Sequence, residues 1–419
     1  MTLSSYTNPN PPPISPKKHL HHLVRLAGLG IGHAHAHAHV VQSWVVEQAD
    51  PDPMGTITRI IKTSPADKSS FGAGWLIMLS YELGQRIEPK AQGVYTSPTD
   101  SDAPQAFPLA VVQRWEMCNT CNSGQAGKYQ VGTITSSMGK AQYIAAIKRT
   151  QAYIRAGDIY QANIAHHLQG SFVGSASACF ADLARIADPK FGSMMIFDHR
   201  GTRHAITSIS PELFLAYNPS TRVIRTEPMK GTRPVGSNEA ELYDSTKDRA
   251  ELDMITDLMR NDLGRVCRLG SVRVVDPRKI ESHKSGVLQA SSVIEGRLAD
   301  GIGFGQIIKA TFPPGSVTGA PKVRAMQILD EIEHRARDSY CGAMVVLDDH
   351  GAIKGSVSIR TAHIWGGADP NAPDLIRNGQ FVYPVGAGVV ADSDPESEWV
   401  ETLMKAEVLR TALGIEITH

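Results

Sequence analysis

The chain carries no surplus of either charge: 42 Lys and Arg balance 42 Asp and Glu over 419 residues. A nucleic-acid binder ordinarily shows a basic excess, so nothing here points to a polyanionic partner. Long apolar runs are missing as well. Stretches such as residues 343–347 are far short of the roughly 20 residues a membrane span needs. The N-terminus runs from Met-Thr-Leu-Ser-Ser into prolines, without a charged-then-apolar leader pattern. Cysteine is scarce, five residues at wide spacing, an odd count that argues for a reducing compartment rather than a disulfide framework. A chain of this length can bury a sizeable core without such staples. These absences predict a soluble, cytoplasmic, globular protein with no nucleic-acid or membrane partner.

Residues 1–18 hold Pro9, Pro11, Pro12, Pro13 and Pro16 among Asn, Ser and Lys, a composition that predicts a disordered tail. Seven of the 16 histidines follow: His19, His21, His22, His33, His35, His37 and His39. Alternation from His33 to His39 would put four imidazoles on one face of an extended segment. Imidazole suits zinc, copper and nickel, but alternation alone closes no tetrahedral site, and a polar strand or loop face is the favoured reading. Residues 71–84 read as a buried helix or strand. Residues 95–140 read as a linker around one strand-like stretch, with Cys118-Asn-Thr-Cys121 as a lone and weak metal or redox motif. The expected division is therefore a tail (1–18), an N-terminal region and linker (19–135), and a C-terminal body (136–419).

From about residue 138 the pattern becomes regular. Tyr143, Ile144, Ile147 and Ile154 recur at helical spacing before Gly157. Residues 159–173 alternate like a strand. Helices are predicted over 247–266 and 321–336, the second with Pro at its first turn. A last helix starts from Ser393-Asp394-Pro395 and runs to about Leu413. Helices and strands alternate without a βαβ period, which predicts an α+β fold with large, mainly antiparallel sheets.

Glu398, Glu401 and Lys405 fall three and four apart and share one helical stripe. Taken alone, that stripe is a solvent-exposed Glu-to-Lys pair. Glu251 lies on the other acidic helix, and Glu212 lies in Ser210-Pro-Glu-Leu-Phe214. Carboxylates converging from separate elements could bind Mg²⁺, which takes a few carboxylate oxygens plus water and an anionic ligand; spacing cannot show that they converge. Residues 312–324, Phe-Pro-Pro-Gly-Ser-Val-Thr-Gly-Ala-Pro-Lys-Val-Arg, form a glycine-bearing loop opening a helix, a ready anion site that does not fit the phosphate-binding loop motif. Arg360 offers a rigid fork for a carboxylate. Structural and functional roles weigh equally for each of these.

In order along the chain stand Gly157-Asp-Ile-Tyr-Gln161, Ser210-Pro-Glu-Leu-Phe214, Pro228-Met-Lys-Gly-Thr-Arg233, the stretch 249–265, the loop from Pro314 to Met326, Tyr340-Cys-Gly342, Ser358-Ile-Arg-Thr361 and the stretch 386–393. This series resembles the chorismate-binding enzymes, which include anthranilate, aminodeoxychorismate, isochorismate and salicylate synthases. The match covers roughly 138–415. The resemblance implies stacked antiparallel sheets flanked by helices, as in anthranilate synthase component I, and Mg²⁺ bound to the substrate's carboxylate. It implies Glu251, Glu398 and Glu401 as metal-site carboxylates, and Gln161, Thr318, Tyr340, Arg360, Gly386, Gly388 and Lys405 around chorismate.

Two positions choose among family members. Water-adding relatives have a lysine base where this chain has Gln161, which points to ammonia as the nucleophile. Lys230 in Pro-Met-Lys-Gly-Thr resembles the aminodeoxychorismate synthases, whereas anthranilate synthases have Ala there. The resemblance implies that Lys230 adds to C2 of chorismate, with Glu212 as general acid for the departing C4 hydroxyl; ammonia then takes C4. No cysteine sits in a glutaminase Gly-x-Cys-x-Gly elbow, so nitrogen from glutamine would need a separate amidotransferase subunit. The chain departs from the family at Gln289, where a histidine is usual, and at Val235-Gly236. The expected function is Mg²⁺-dependent amination of chorismate to 4-amino-4-deoxychorismate for para-aminobenzoate and folate. The alternatives are anthranilate synthase component I and, from another class, a catalytically impaired chorismate- or tryptophan-binding regulator.

Overall fold

The computed structural model describes residues 23–27, 36–63, 73–92, 107–117, 127–234, 239–283 and 287–418. The proline-rich tail, the histidines from His19 to His35 and the Cys118–Cys121 motif lie outside them; His37 and His39 fall in the strand Ala36–Val46.

Nearly every strand pairing is antiparallel, and hydrogen bonds connect all twenty strands among the described residues. Gln161–Ser175 pairs on one side with Tyr129–Val131, Ile134–Ser136 and Gly319–Ala320 and on the other with Ala372–Val389. The ladder continues through Thr361–Asp369, Thr202–Ser210 and Phe191–His199. It then crosses into the N-terminal strands Leu23–Ala27, Ala36–Val46, Ala110–Met117 and Ala73–Leu79. From there it passes to Ala343–Asp348, Ile353–Val357, Leu213–Asn218, Val223–Glu227 and Val287–Arg297. This is the α+β, mainly antiparallel architecture expected, with helices packed on its faces. The main core buries Ile57, Ile60, Ile77, Ile255, Met259 and Ile308. A second lies under the helices Ala176–Ala187 and Pro395–Leu413, around Leu183, Phe381, Ala406 and Leu409.

The stretch 71–84 resolves into a strand, Ala73–Leu79, buried throughout, before a short helix, Leu83–Ile87. The stretch expected as linker contains an internal strand. Ala110–Met117 is hydrogen-bonded on one side to Ala36–Val46 and on the other to Ala73–Leu79, so its center belongs to the sheet and not to a connection.

Helix ends follow local chemistry. Thr246–Gly264 starts where Ser245 Oγ accepts the Asp248 N–H at 3.2 Å. Lys322–Glu333 starts after Pro321 and stops at His334, held at φ 49°. Pro395–Leu413 begins with Pro395 after the cap Asp394, whose Oδ1 accepts the Ser397 N–H at 2.9 Å, and ends at Gly414 with φ 65°. That last helix buries Trp399, Thr402, Ala406 and Leu409. His166 fixes its rotation: its ring stacks on Trp399 with 5.0 Å between centroids, and its Nε2 lies 2.9 Å from Thr402 Oγ1. The stripe Glu398, Glu401 and Lys405 is thereby turned to a cavity. Replacing Asp394 by Ala removes the side-chain acceptor of that N-cap. Stability should fall by about 1 kcal/mol, measurable as a lower denaturant midpoint with unchanged slope.

Candidate active site

A cavity of about 1090 Å³ opens where the strand ends 210–212, 229–231 and 386–388 meet the helices Thr246–Gly264 and Pro395–Leu413. Glu212, Lys230, Glu251, Tyr340, Arg360, Gly386, Gly388, Glu398, Glu401 and Lys405 all line it. Residues up to about 190 positions apart in sequence thus share one wall space, which their spacing could not establish.

Two residues expected around the ligand sit behind the wall. Thr318 is fully buried and donates its hydroxyl to the carbonyls of Pro314 and Gly315, at 3.2 Å each, so it shapes the loop. Gln161 is 1% exposed, and neither of its amide atoms has a hydrogen-bond partner. A methyl placed on Gly388 would fall 2.9 Å from Gln161 Nε2 and 2.9 Å from Lys230 Nζ. The lysine amine and the glutamine amide therefore both press on one bare Cα. Gly386 plays a similar part, since a methyl there would meet the Ile164 carbonyl at 2.6 Å and Tyr340 Oη at 2.9 Å.

Glu212 also lines the cavity and is only 3% exposed. Its Oε1 accepts the Ser316 hydroxyl at 2.5 Å. Burial raises the Glu212 carboxyl to about 7, against the lowering pull of Ser316, Lys230 and Lys405. Burial also pulls the Lys230 amine below its ordinary value; the charge on Lys405 adds to this, and Glu251, Glu212 and Glu401 oppose it. Both groups are driven toward their neutral forms. Lys405 is fixed by its own contacts, donating to the Gly386 carbonyl at 2.7 Å and pairing with Glu401 at 2.8 Å. Gln289 also lines the cavity, on the strand beside Lys230. An amide can hydrogen-bond there but cannot shuttle a proton as a histidine would.

The wall holds seven acids, Glu212, Asp248, Glu251, Glu396, Glu398, Glu401 and Glu407, against Lys230, Arg360 and Lys405. Such a surface repels an anionic ligand unless a cation joins it. Carboxylate oxygens are the donors a hard divalent cation takes, and Glu251, Glu398 and Glu401 line this one cavity. Among the described residues no three acidic, histidine or cysteine side chains are grouped to hold a metal.

Sequence reasoning assigned no role to Ser316 or to the buried Arg337 behind it. Ser316 stood inside the glycine loop, whereas no local pattern marked Arg337.

Comparison with solved structures defines the fold. Anthranilate synthase component I from Streptococcus pneumoniae superposes with a TM-score of 0.68 at 19% identity, covering 98% of this chain and 94% of that one. The menaquinone-specific isochorismate synthase from Escherichia coli gives 0.67 at 16% identity, covering 96% and 89%. At such identities the likeness establishes a shared fold. The family follows from sequence: the profile of the chorismate binding enzymes matches residues 52–411, and the chain belongs to that family. It is 34% identical over 332 residues to anthranilate synthase component 1 of Acinetobacter calcoaceticus, covering 77% of this chain and 64% of that protein. It is 37% identical over 277 residues to aminodeoxychorismate synthase component 1 of Escherichia coli, covering 64% and 57%. The chain thus spans less than two thirds of the length of these two curated relatives.

Gly388→Ala tests the wall directly. The methyl meets only the far ends of two flexible side chains, so the melting temperature should barely change. Lys230 must shift, however, and turnover of chorismate should fall on the order of a hundredfold, the usual cost of a misplacement near 1 Å. Wild-type turnover in a folded Gly388→Ala chain would show that Lys230 Nζ does not need this position.

Proposed function

We propose that the chain aminates chorismate at C4, giving 4-amino-4-deoxychorismate and water, with Mg²⁺ and with ammonia supplied by a separate amidotransferase. What supports this reading is that Lys230 and Glu212 line one cavity and feel each other's charge, an amine and a carboxyl both drawn by burial toward neutrality. A neutral amine is a nucleophile and a protonated carboxyl is an acid, so the pair can act together near neutral pH.

Lys230 Nζ forms a bond to C2, both ring double bonds shift by one position, and the C4–O bond breaks as Glu212 delivers its proton. Water leaves. Ammonia then attacks C4, both double bonds shift back, and the C2–N bond to Lys230 breaks. One ammonia proton returns to Glu212, and Lys230 regains its amine. Arg360 and Tyr340, which both line the cavity, would hold the substrate's carboxylates. Mg²⁺, held by Glu251, Glu398 and Glu401, would supply the positive charge that this acidic wall lacks. Gln161 bears no base for activating water, which favours ammonia over isochorismate formation. Production of anthranilate is the second reading, supported by relatives of that name; Lys230 argues against it.

Lys230→Ala should still bind chorismate, because binding is shared among many groups. C4 amination should fall by orders of magnitude, as when a covalent nucleophile is deleted, and residual ammonia chemistry should move to C2. Product mass and fluorescence distinguish the two, since anthranilate is aromatic and fluorescent. Aminodeoxychorismate formed by Lys230→Ala at the wild-type rate would contradict the reading. Chorismate binding without turnover in the wild type, with ammonium or a glutamine partner, would favour the regulatory alternative.

Glu251→Gln, Glu398→Gln and Glu401→Gln keep side-chain size while removing charge. Each should weaken Mg²⁺ binding at least tenfold, read by calorimetric titration in the presence of chorismate. Wild-type affinity in all three would remove these residues as metal ligands.

A further inference from the structure

Ser316 is the polar group nearest the reactive carboxyl, and the mechanism has not used it. It sits in the one-turn 3-10 segment Gly315–Val317, is 6% exposed and lines the cavity beside Glu212. Its hydroxyl points to Glu212 Oε1 at 2.5 Å. Both sides of this contact are held rigidly. The Glu212 backbone is pinned by its N–H on Ser210 Oγ at 3.2 Å and by its carbonyl, which accepts the Val357 N–H at 3.1 Å.

The Ser316 side is pinned from behind by Arg337. That guanidinium is 2% exposed and donates Nη1 to the Val317 carbonyl at 3.1 Å and Nη2 to the Asn163 carbonyl at 2.5 Å. It also makes a two-pronged contact with Glu333, at 2.9 and 2.6 Å, and lies 4.7 Å from the center of the Tyr81 ring. Thr318, bonded to Pro314 and Gly315, closes the turn. The backbone that carries the serine cannot move away without breaking buried, charge-assisted bonds.

We propose that Ser316 is the positioning residue of the proton donor: by donating to Oε1 of Glu212 it reserves Oε2 to carry the proton and meet the leaving hydroxyl. This inference rests on the reading of Glu212 as general acid. When Glu212 gives up its proton, the Ser316 bond becomes charge-assisted and strengthens, so it favours the transition state over the ground state. It also holds the carboxyl lower than burial alone would. The groups facing Glu212 are Lys230 on Met229–Pro234, Lys405 on the last helix and Cys341 behind Tyr340; Glu251, Glu398, Glu401 and Arg360 share the cavity wall.

The test uses the full chain with chorismate, Mg²⁺ and ammonium adjusted to constant free ammonia at every pH. A general acid must be protonated, so wild-type kcat falls as pH rises through the Glu212 value. Ser316→Ala removes a bond that favours the carboxylate, so this alkaline limb should move upward by about one pH unit. kcat should drop on the order of tenfold, while KM for chorismate stays within about threefold. Ser316→Thr, which keeps the hydroxyl, should restore both. Ser316→Cys, close in size and a weak donor, should follow Ala and serves where the alanine chain does not fold. Wild-type kcat and an unmoved limb in Ser316→Ala or Ser316→Cys, alongside an inactive Glu212→Gln, overturn the role of Ser316 and leave the donor in place. An active Glu212→Gln with an unchanged limb overturns the donor reading and this inference together.

Discussion

The site depends on the ladder between Gln161–Ser175 and Ala372–Val389. Its register sets Gly386 opposite Ala165 and Gly388 opposite Asn163, and the two glycines leave room where a side chain would fill the floor. The other edge of Gln161–Ser175 pairs with Gly319–Ala320, drawing in the loop that carries Ser316. Beyond Val389 the chain turns into the last helix, which lays Glu398, Glu401 and Lys405 over the same floor. One strand therefore sets the positions of Ser316, of Gly388 behind Lys230 and of the acidic stripe.

Electrostatics in this space is a balance rather than a match. The acids outnumber the cations, yet burial keeps Glu212 protonated to higher pH and Lys230 neutral to lower pH than in water. On the proposed reading, that opposite displacement gives an acid and a nucleophile from residues that would otherwise form an ion pair. Lys405 is tied to Glu401 and to the Gly386 carbonyl. The residual negative surface leaves room for a divalent cation.

Much of this was legible in the sequence, and the exceptions have physical causes. The last helix could be bounded because Asp394, Pro395 and Gly414 act locally on their own turn. Thr246–Gly264 was visible for the same reason, with Leu252, Ile255 and Met259 buried on one stripe. The strand Ala110–Met117 was legible as a strand-like stretch over 108–115 but was taken into a linker because polar composition surrounds it. Gln113 is fully buried, donating to the Ile196 carbonyl at 2.7 Å, and Arg114 is buried in a two-pronged pair with Asp349. Both look like surface residues until their partners, far off in sequence, are known. Arg337 was hidden in the same way. The residues around the ligand were named through resemblance, and their meeting in one cavity is a property of the fold alone.

The central claim is that the Lys230 amine attacks C2, and the intermediate itself is its most direct measure. The full chain should be mixed with chorismate and Mg²⁺ without ammonia, quenched rapidly and analysed by peptide mass spectrometry. The account predicts that the peptide containing Lys230 gains the mass of chorismate less one water, and that adding ammonium discharges it. An adduct on another residue, or unmodified Lys230 under conditions where ammonium supports turnover, would contradict it.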